Sequence, residues 1–152
     1  MPSVTQTEGT MHELPGLQDT AAAPATPAPG TQLTAAPITI PPLNDGELWA
    51  GIVSISTQLH HVILLPGEFD DNWNASMAWA KEQSGDLPSP LEQKLLIVNL
   101  KDQFKPEWYW SDEQHASDES SAWMQDFLNG FQLYFLKDYG YRARAVRRLP
   151  IQ

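Results

Sequence analysis

The chain has 152 residues, 41% of them hydrophobic and six of them Trp, enough apolar material for one domain with an appendage. Its formal net charge of -10 repels phosphate backbones, so nucleic acid is not an expected partner. The lack of cysteine excludes disulfides, thiol nucleophiles and cysteine-type zinc sites; no apolar run nears the ~18 residues of a membrane helix, and the first residues lack the basic and apolar pattern of a secretory leader.

Residues 1–46 read as an arm. Eight of the 13 prolines lie at or before Pro42, and the first basic residue is Lys81. The Ala/Pro/Thr run over 21–37 offers too little apolar surface to offset chain entropy, which predicts disordered or polyproline-like chain. Two uses are open: a solvated linker, or an arm that orders along a neighbouring subunit. Ile38, Ile40 and Leu43, in the apolar run ITIPPL, are the docking residues for the second use, as an added strand.

A folded domain is expected over 47–152. Leu48 to Ile55 predicts a strand, Ser56 to His60 a turn, and His61 to Leu65 a second strand ended by Pro66-Gly67, together a hairpin. Asn74 is the predicted N-cap of an Ala-rich helix over 75–84, with Gly85 at its end and Trp73 as a hydrophobic staple on Ala78. Ser89-Pro90-Leu91-Glu92 is a capping box with Pro at the first helical position. Leu91, Leu95 and Val98 then share one face at helical spacing. Trp108-Tyr109-Trp110 predicts a short strand, and Asn129-Gly130 a hairpin turn between 122–128 and 132–136. Residues 141–148 alternate Arg with Ala, then break register at Val146. Strands, two helices, then strands make an α+β arrangement.

Six segments carry a resemblance. LLPGE from Leu64, W-x-x-x-M-A-W-A from Trp73, G-D-L-P-S from Gly85, W-Y-W-S-D-E-Q from Trp108, A-W-x-x-D-F-x-x-G from Ala122 and R-A-R-A-V-R-R from Arg142 together resemble the DUF1566 family. Such domains occur in bacterial, phage and prophage proteins and are similar to the variable proteins of diversity-generating retroelements. The resemblance spans about residues 47–149. It implies a C-type-lectin-like fold and a binding role, often on phage tails or host surfaces. The chain departs from the family pattern at Ser89, where Thr is usual, and at Asp112, where a second Ser is usual. Nothing in the resemblance accounts for the Pro-rich arm.

The resemblance also places ligand-facing residues near 127–139. There Phe131, Leu133, Phe135 and Tyr139 share one strand parity and form a candidate patch, against the plainer reading that one parity is the core side. Trp110 and Trp123 are expected in the core. Tyr109, on the opposite strand face from Trp108 and Trp110 by alternation, is expected to be more exposed than they are. Asp112, Glu113 and His115 are further candidate ligand contacts, in an acidic loop that lacks the glycine-organised spacing of a calcium site. Arg142, Arg144, Arg147 and Arg148 are expected to pair with carboxylates such as Asp126 or Asp138. His60-His61 point to opposite strand faces and so do not suit one metal.

No catalytic residue, cofactor or metal is expected. An enzyme related to sulfatase-modifying factors would need the cysteine this chain lacks. Two settings remain open. One is a phage or prophage virion protein, binding a host-surface receptor (glycan or protein) through its lectin-like body and other virion proteins through its arm. The other is a bacterial secreted or surface adhesin or sugar-binding module. A homo-oligomer or repeated array is expected for avidity.

Overall fold

Strand β1 (Leu48–Ile55) forms over the residues its β-branched and aromatic content predicts. It turns back at once into β2 (Gln58–Leu64). The connection is Ser56-Thr57 alone, both with positive φ (48° and 71°), so the loop has two residues rather than the expected five. No Asn-Gly or Asp-Gly marks it, and the tightness comes from the pairing of Ile55 with Gln58. A computed structural model describes residues 37–152; the expectations for residues 1–36, which hold all but the last residue of the Ala/Pro/Thr run, lie outside them.

Beyond β3 (Phe69–Asp71) comes helix α1 (Trp73–Glu82), which begins two residues before the expected start. Its N-cap is Asn72, whose side chain accepts from the Ala75 N–H at 2.9 Å. Trp73 is therefore the first helical residue rather than a staple. Distant groups decide between the two asparagines: the Trp73 backbone N–H donates to the Lys137 carbonyl at 3.0 Å, and its indole N–H to the Ser111 carbonyl at 2.8 Å.

Helix α2 (Pro90–Leu100) starts as its capping box dictates, with both reciprocal Ser89–Glu92 bonds present. A 3-10 turn follows at Lys101–Gln103, then β4 (Trp108–Gln114), β5 (Ser121–Asp126), β6 (Gln132–Leu136), β7 (Tyr141–Ala143) and β8 (Val146–Pro150).

The eight strands form two sheets, ordered β1-β2-β8 and β3-β7-β4-β5-β6. The α+β class is the expected one. The Arg/Ala run at 141–148 serves both sheets: β7 pairs with β3 and β4, whereas β8 pairs with β2. Arg144 and Ala145 make the crossing, tied by the Leu65 N–H to the Ala145 carbonyl at 2.9 Å.

Helix α2 packs on β1, β4 and β5 over one apolar cluster that includes Val62, Leu64, Leu96, Phe104, Tyr109 and Phe127. Phe104 stacks on Phe127 with centroids 3.9 Å apart, and Tyr109 meets both edge-on. A second cluster includes Leu87, Trp110, Met124 and Ala143, with Trp73, Met77 and Trp79 of α1 packed against it.

The face that α2 buries is not the one its leucines suggest. Leu91 is exposed and Val98 is 78% exposed, while Glu92, Gln93 and Leu96 are fully buried. Most faces of this helix are apolar, so spacing alone selects none; the buried hydrogen bonds do. Gln93 Nε2 donates to the Tyr109 and Trp110 carbonyls at 3.0 and 3.2 Å. Gln125 Nε2 donates to the Gln93 carbonyl at 2.8 Å, and Gln132 Nε2 to Gln125 Oε1 at 3.0 Å. These amides run from α2 through β5 to β6.

Candidate binding face

β6 ends the larger sheet, and only β5 pairs with it among the described residues. From Phe127 to Leu136 the chain carries ten consecutive uncharged residues within a protein of net charge -10. Phe131 is 66% and Tyr139 53% exposed, and Leu133 and Phe135 are exposed as well, so four sequence-predicted residues do reach the surface together. Tyr134, Leu136 and Leu128 join them. Tyr134 and Leu136 lie on the opposite strand parity, and Leu128 precedes the turn. Neither helix packs extensively on β6, so side chains of both parities meet solvent.

The two faces of β6 differ in their backing. Phe135 meets the rings of Tyr139 and Tyr141 edge-on, at 5.0 and 5.7 Å. On the other face Tyr134 lies 4.0 Å from the His115 ring and 5.4 Å from Trp123, and His115 is 5.6 Å from Trp123. His115 therefore belongs to this aromatic group. Trp123 is only half-buried, in contrast to the core position expected for it; Trp110 is fully buried.

Tyr109 is the clear correction. It is 1% exposed and sits in the core below the Phe104–Phe127 stack, so it offers nothing to a ligand. Alternation exposes a residue only where one strand face meets solvent, and both helices pack on β4. The Tyr109 hydroxyl donates to Glu68 and accepts from the Lys105 N–H at 2.9 Å. Burial, reinforced by the Glu68 carboxylate, pushes its phenol above the usual range.

Asp112 and Glu113 separate. Glu113 is exposed, whereas Asp112 is half-buried with Oδ2 3.3 Å from Arg148 Nη2. Burial raises the Asp112 carboxyl pKa, helped by Glu92 and Glu113, despite the Arg148 charge that favours ionisation.

The arginines do pair with carboxylates, but with other partners than Asp126 and Asp138. Arg142 pairs with Glu107 and Glu68, Arg147 with Glu47, and Arg148 with Glu92, Asp86 and Asp112. Arg144 donates instead to the Gln103 and Leu65 carbonyls, at 2.6 and 3.0 Å. Ile38, Ile40 and Leu43 are exposed in chain without regular structure.

An open cleft of about 280 Å³ adjoins this region, lined in part by Asp70, Glu107, Trp108, Tyr141 and Arg142. Tyr141 belongs both to this cleft and to the contacts of Phe135. Among the described residues, no group of three His, Asp or Glu side chains is placed to hold a metal ion. Asp118, in the acidic loop, instead accepts from Ser120 and Ser121 hydroxyls at 2.6 and 2.7 Å. Comparison with protein-family models finds none that matches the chain, and comparison with curated proteins finds no similar sequence.

Proposed function

We propose that the chain is a non-enzymatic binding module of C-type-lectin-like fold, carried on a phage or prophage particle by its N-terminal arm. The lectin-like assignment draws on the DUF1566 resemblance together with two helices and short, mostly antiparallel strands in two sheets. The observation that carries the binding role is the exposed, uncharged surface of β6 and its flanks. Phe131, Leu133, Phe135 and Tyr139 present one side of it, with Tyr134 and His115 on the other. A contiguous apolar surface of this kind marks an interface with another molecule. The main cluster of charged groups is engaged elsewhere, Glu92, Arg148, Asp86 and Asp112 being taken up in ion pairs. Immunogold localisation on purified particles tests the setting: label on the particle supports it, and particles free of the chain overturn it.

The cleft beside Tyr141 favours a second reading, a sugar-binding module of the bacterial surface. Half-buried Trp108 and Tyr141 offer apolar ring surface, and Asp70 and Glu107 offer acceptors for hydroxyls. A glycan array probed with the full chain separates the readings. Specific binding that Trp108→Ala abolishes favours the second, and a flat array removes it.

A further inference from the structure

The free edge of β6 has a geometry that the ligand-facing reading does not use. The Asp126 N–H donates to the Phe131 carbonyl at 2.8 Å, and the Lys137 N–H to the Ser120 carbonyl at 2.8 Å. With the register that pairs Met124 with Leu133 and Ala122 with Phe135, these bonds fix which backbone groups point inward. Residues 131, 133, 135 and 137 face β5. The N–H and C=O groups of Gln132, Tyr134 and Leu136 therefore point outward, to an edge that no described strand covers; the Leu136 carbonyl accepts from the Tyr139 N–H at 3.3 Å and keeps its second lone pair. A free edge is normally blunted by Lys, Pro or a bulge. β6 has none of these, and it is apolar on both faces.

We propose that this edge pairs antiparallel with the same edge of a second copy, about a two-fold axis at Tyr134. The inference rests on the reading of β6 as a binding surface and names the partner of its backbone. The edge is self-complementary: Tyr134 falls opposite Tyr134 of the other copy, and Gln132 opposite Leu136, so every outward residue meets another outward residue. On one face Leu133 then lies beside Phe135 of the other copy, an apolar cross-strand pair made twice.

Charge favours a second copy over a charged partner. Two chains of net charge -10 repel each other least where the surface is uncharged, and Phe127 to Leu136 is uncharged, with Lys137 and Asp138 cancelling beyond it. Pairing along five residues covers the strand backbone and the flanks of Leu133, Tyr134, Phe135 and Leu136, well short of the ~800 Å² per partner of a standard interface. A contact this small is expected to be reversible and dependent on concentration. The N-terminal segment is a poorer occupant, because its prolines lack the N–H a ladder needs and its longest proline-free run, residues 3–14, is mostly polar. Pairing at the edge leaves both sheet faces open, so it sets two ligand-facing surfaces side by side in one ten-stranded sheet.

Sedimentation of the full chain between ~1 and ~200 µM tests the proposal. Wild type is expected to shift from the 17.0 kDa monomer to twice that mass. Leu136→Lys puts a charge on the strand and is expected to weaken association at least ~10-fold. Tyr134→Pro removes one outward N–H and none that faces β5, and is expected to do the same with an unchanged circular dichroism spectrum; should it unfold, Leu136→Lys decides alone. A wild type that stays at 17.0 kDa, or a folded Leu136→Lys chain that still doubles, overturns the pairing. Either result leaves the binding-module reading standing or falling on the particle localisation, which a monomer can satisfy.

Discussion

Replacing Arg148 by Met tests how α2 is held on the smaller sheet. Glu92 is fully buried, yet its carboxylate is charged: burial pushes its pKa up, and the Arg148 hydrogen bonds, the Ser89 N–H, the Arg148 charge and His60 together pull it below the ordinary value. Arg148 donates through Nε at 2.8 Å and through Nη2 at 2.6 Å, linking β8 to the start of α2. In Arg148→Met the carboxylate keeps only the Ser89 N–H at 2.8 Å and His60 at 3.3 Å. Stranding one member of a buried pair costs about 3–5 kcal/mol, which for a unit of this size lowers the thermal midpoint by roughly 10–20 °C. Adding Glu92→Gln removes the stranded charge while keeping an acceptor for the Ser89 cap. The double variant is therefore expected to regain about 2 kcal/mol relative to the single one. Urea unfolding of wild type, both single variants and the double variant measures this coupling. The cost of Arg148→Met should also shrink as the pH falls, because Glu92 can then be buried neutral. A loss below ~1 kcal/mol, or no recovery in the double variant, refutes the assignment.

Gly85→Ala should cost about 1–3 kcal/mol in thermal unfolding. Its Cβ would lie 2.6 Å from both Leu65 Cδ1 and the Val146 carbonyl oxygen, and that carbonyl is held by the Asp86 N–H at 2.9 Å; an unchanged midpoint contradicts the close approach. Glu47 gives an acid-dependent test. Hydrogen bonds from Arg147, opposed by burial and aided by Asn44, hold its carboxyl at about 2 against an ordinary 4.5. The unfolded chain takes up this proton first, so the contribution is complete above about 4.5 and is lost as pH falls through about 2. Glu47→Gln is expected to be about 1–2 kcal/mol less stable at neutral pH after solvent screening, with the gap closing across that window; a pH-independent gap contradicts the pairing.

Local chemistry made several elements legible. β1 follows its β-branched and aromatic run from Leu48 to Ile55, and α2 begins where Ser89, Pro90 and Glu92 dictate. Both signals act within a few residues, so chain neighbours suffice to set them. The Ser56-Thr57 turn was less legible, because neither residue advertises the positive φ that both adopt. The Asn72 cap was hidden by a competing Asn74, and the choice lay with Lys137 and Ser111, far along the chain.

The candidate face divides in the same way. The apolar run around Phe131, Leu133, Phe135 and Tyr139 is visible in the sequence as uncharged residues in an acidic chain. Its placement on an edge strand is a property of sheet order, which depends on which of several strands takes the last position. Tyr134 and Leu136 surface alongside their opposite parity because neither helix packs extensively on β6, and Tyr109 is buried under the Phe104–Phe127 stack. The α+β class, the first strand, the start of the second helix and the uncharged stretch are all legible in the residues alone, because each is set by residue types and neighbours a few positions apart. That Glu92 and Gln93 face inward, that Arg148 meets Glu92, and that β6 has only β5 beside it among the described residues follows from long-range packing alone. Those outcomes depend on burial and hydrogen bonding between residues tens of positions apart, which no local pattern records.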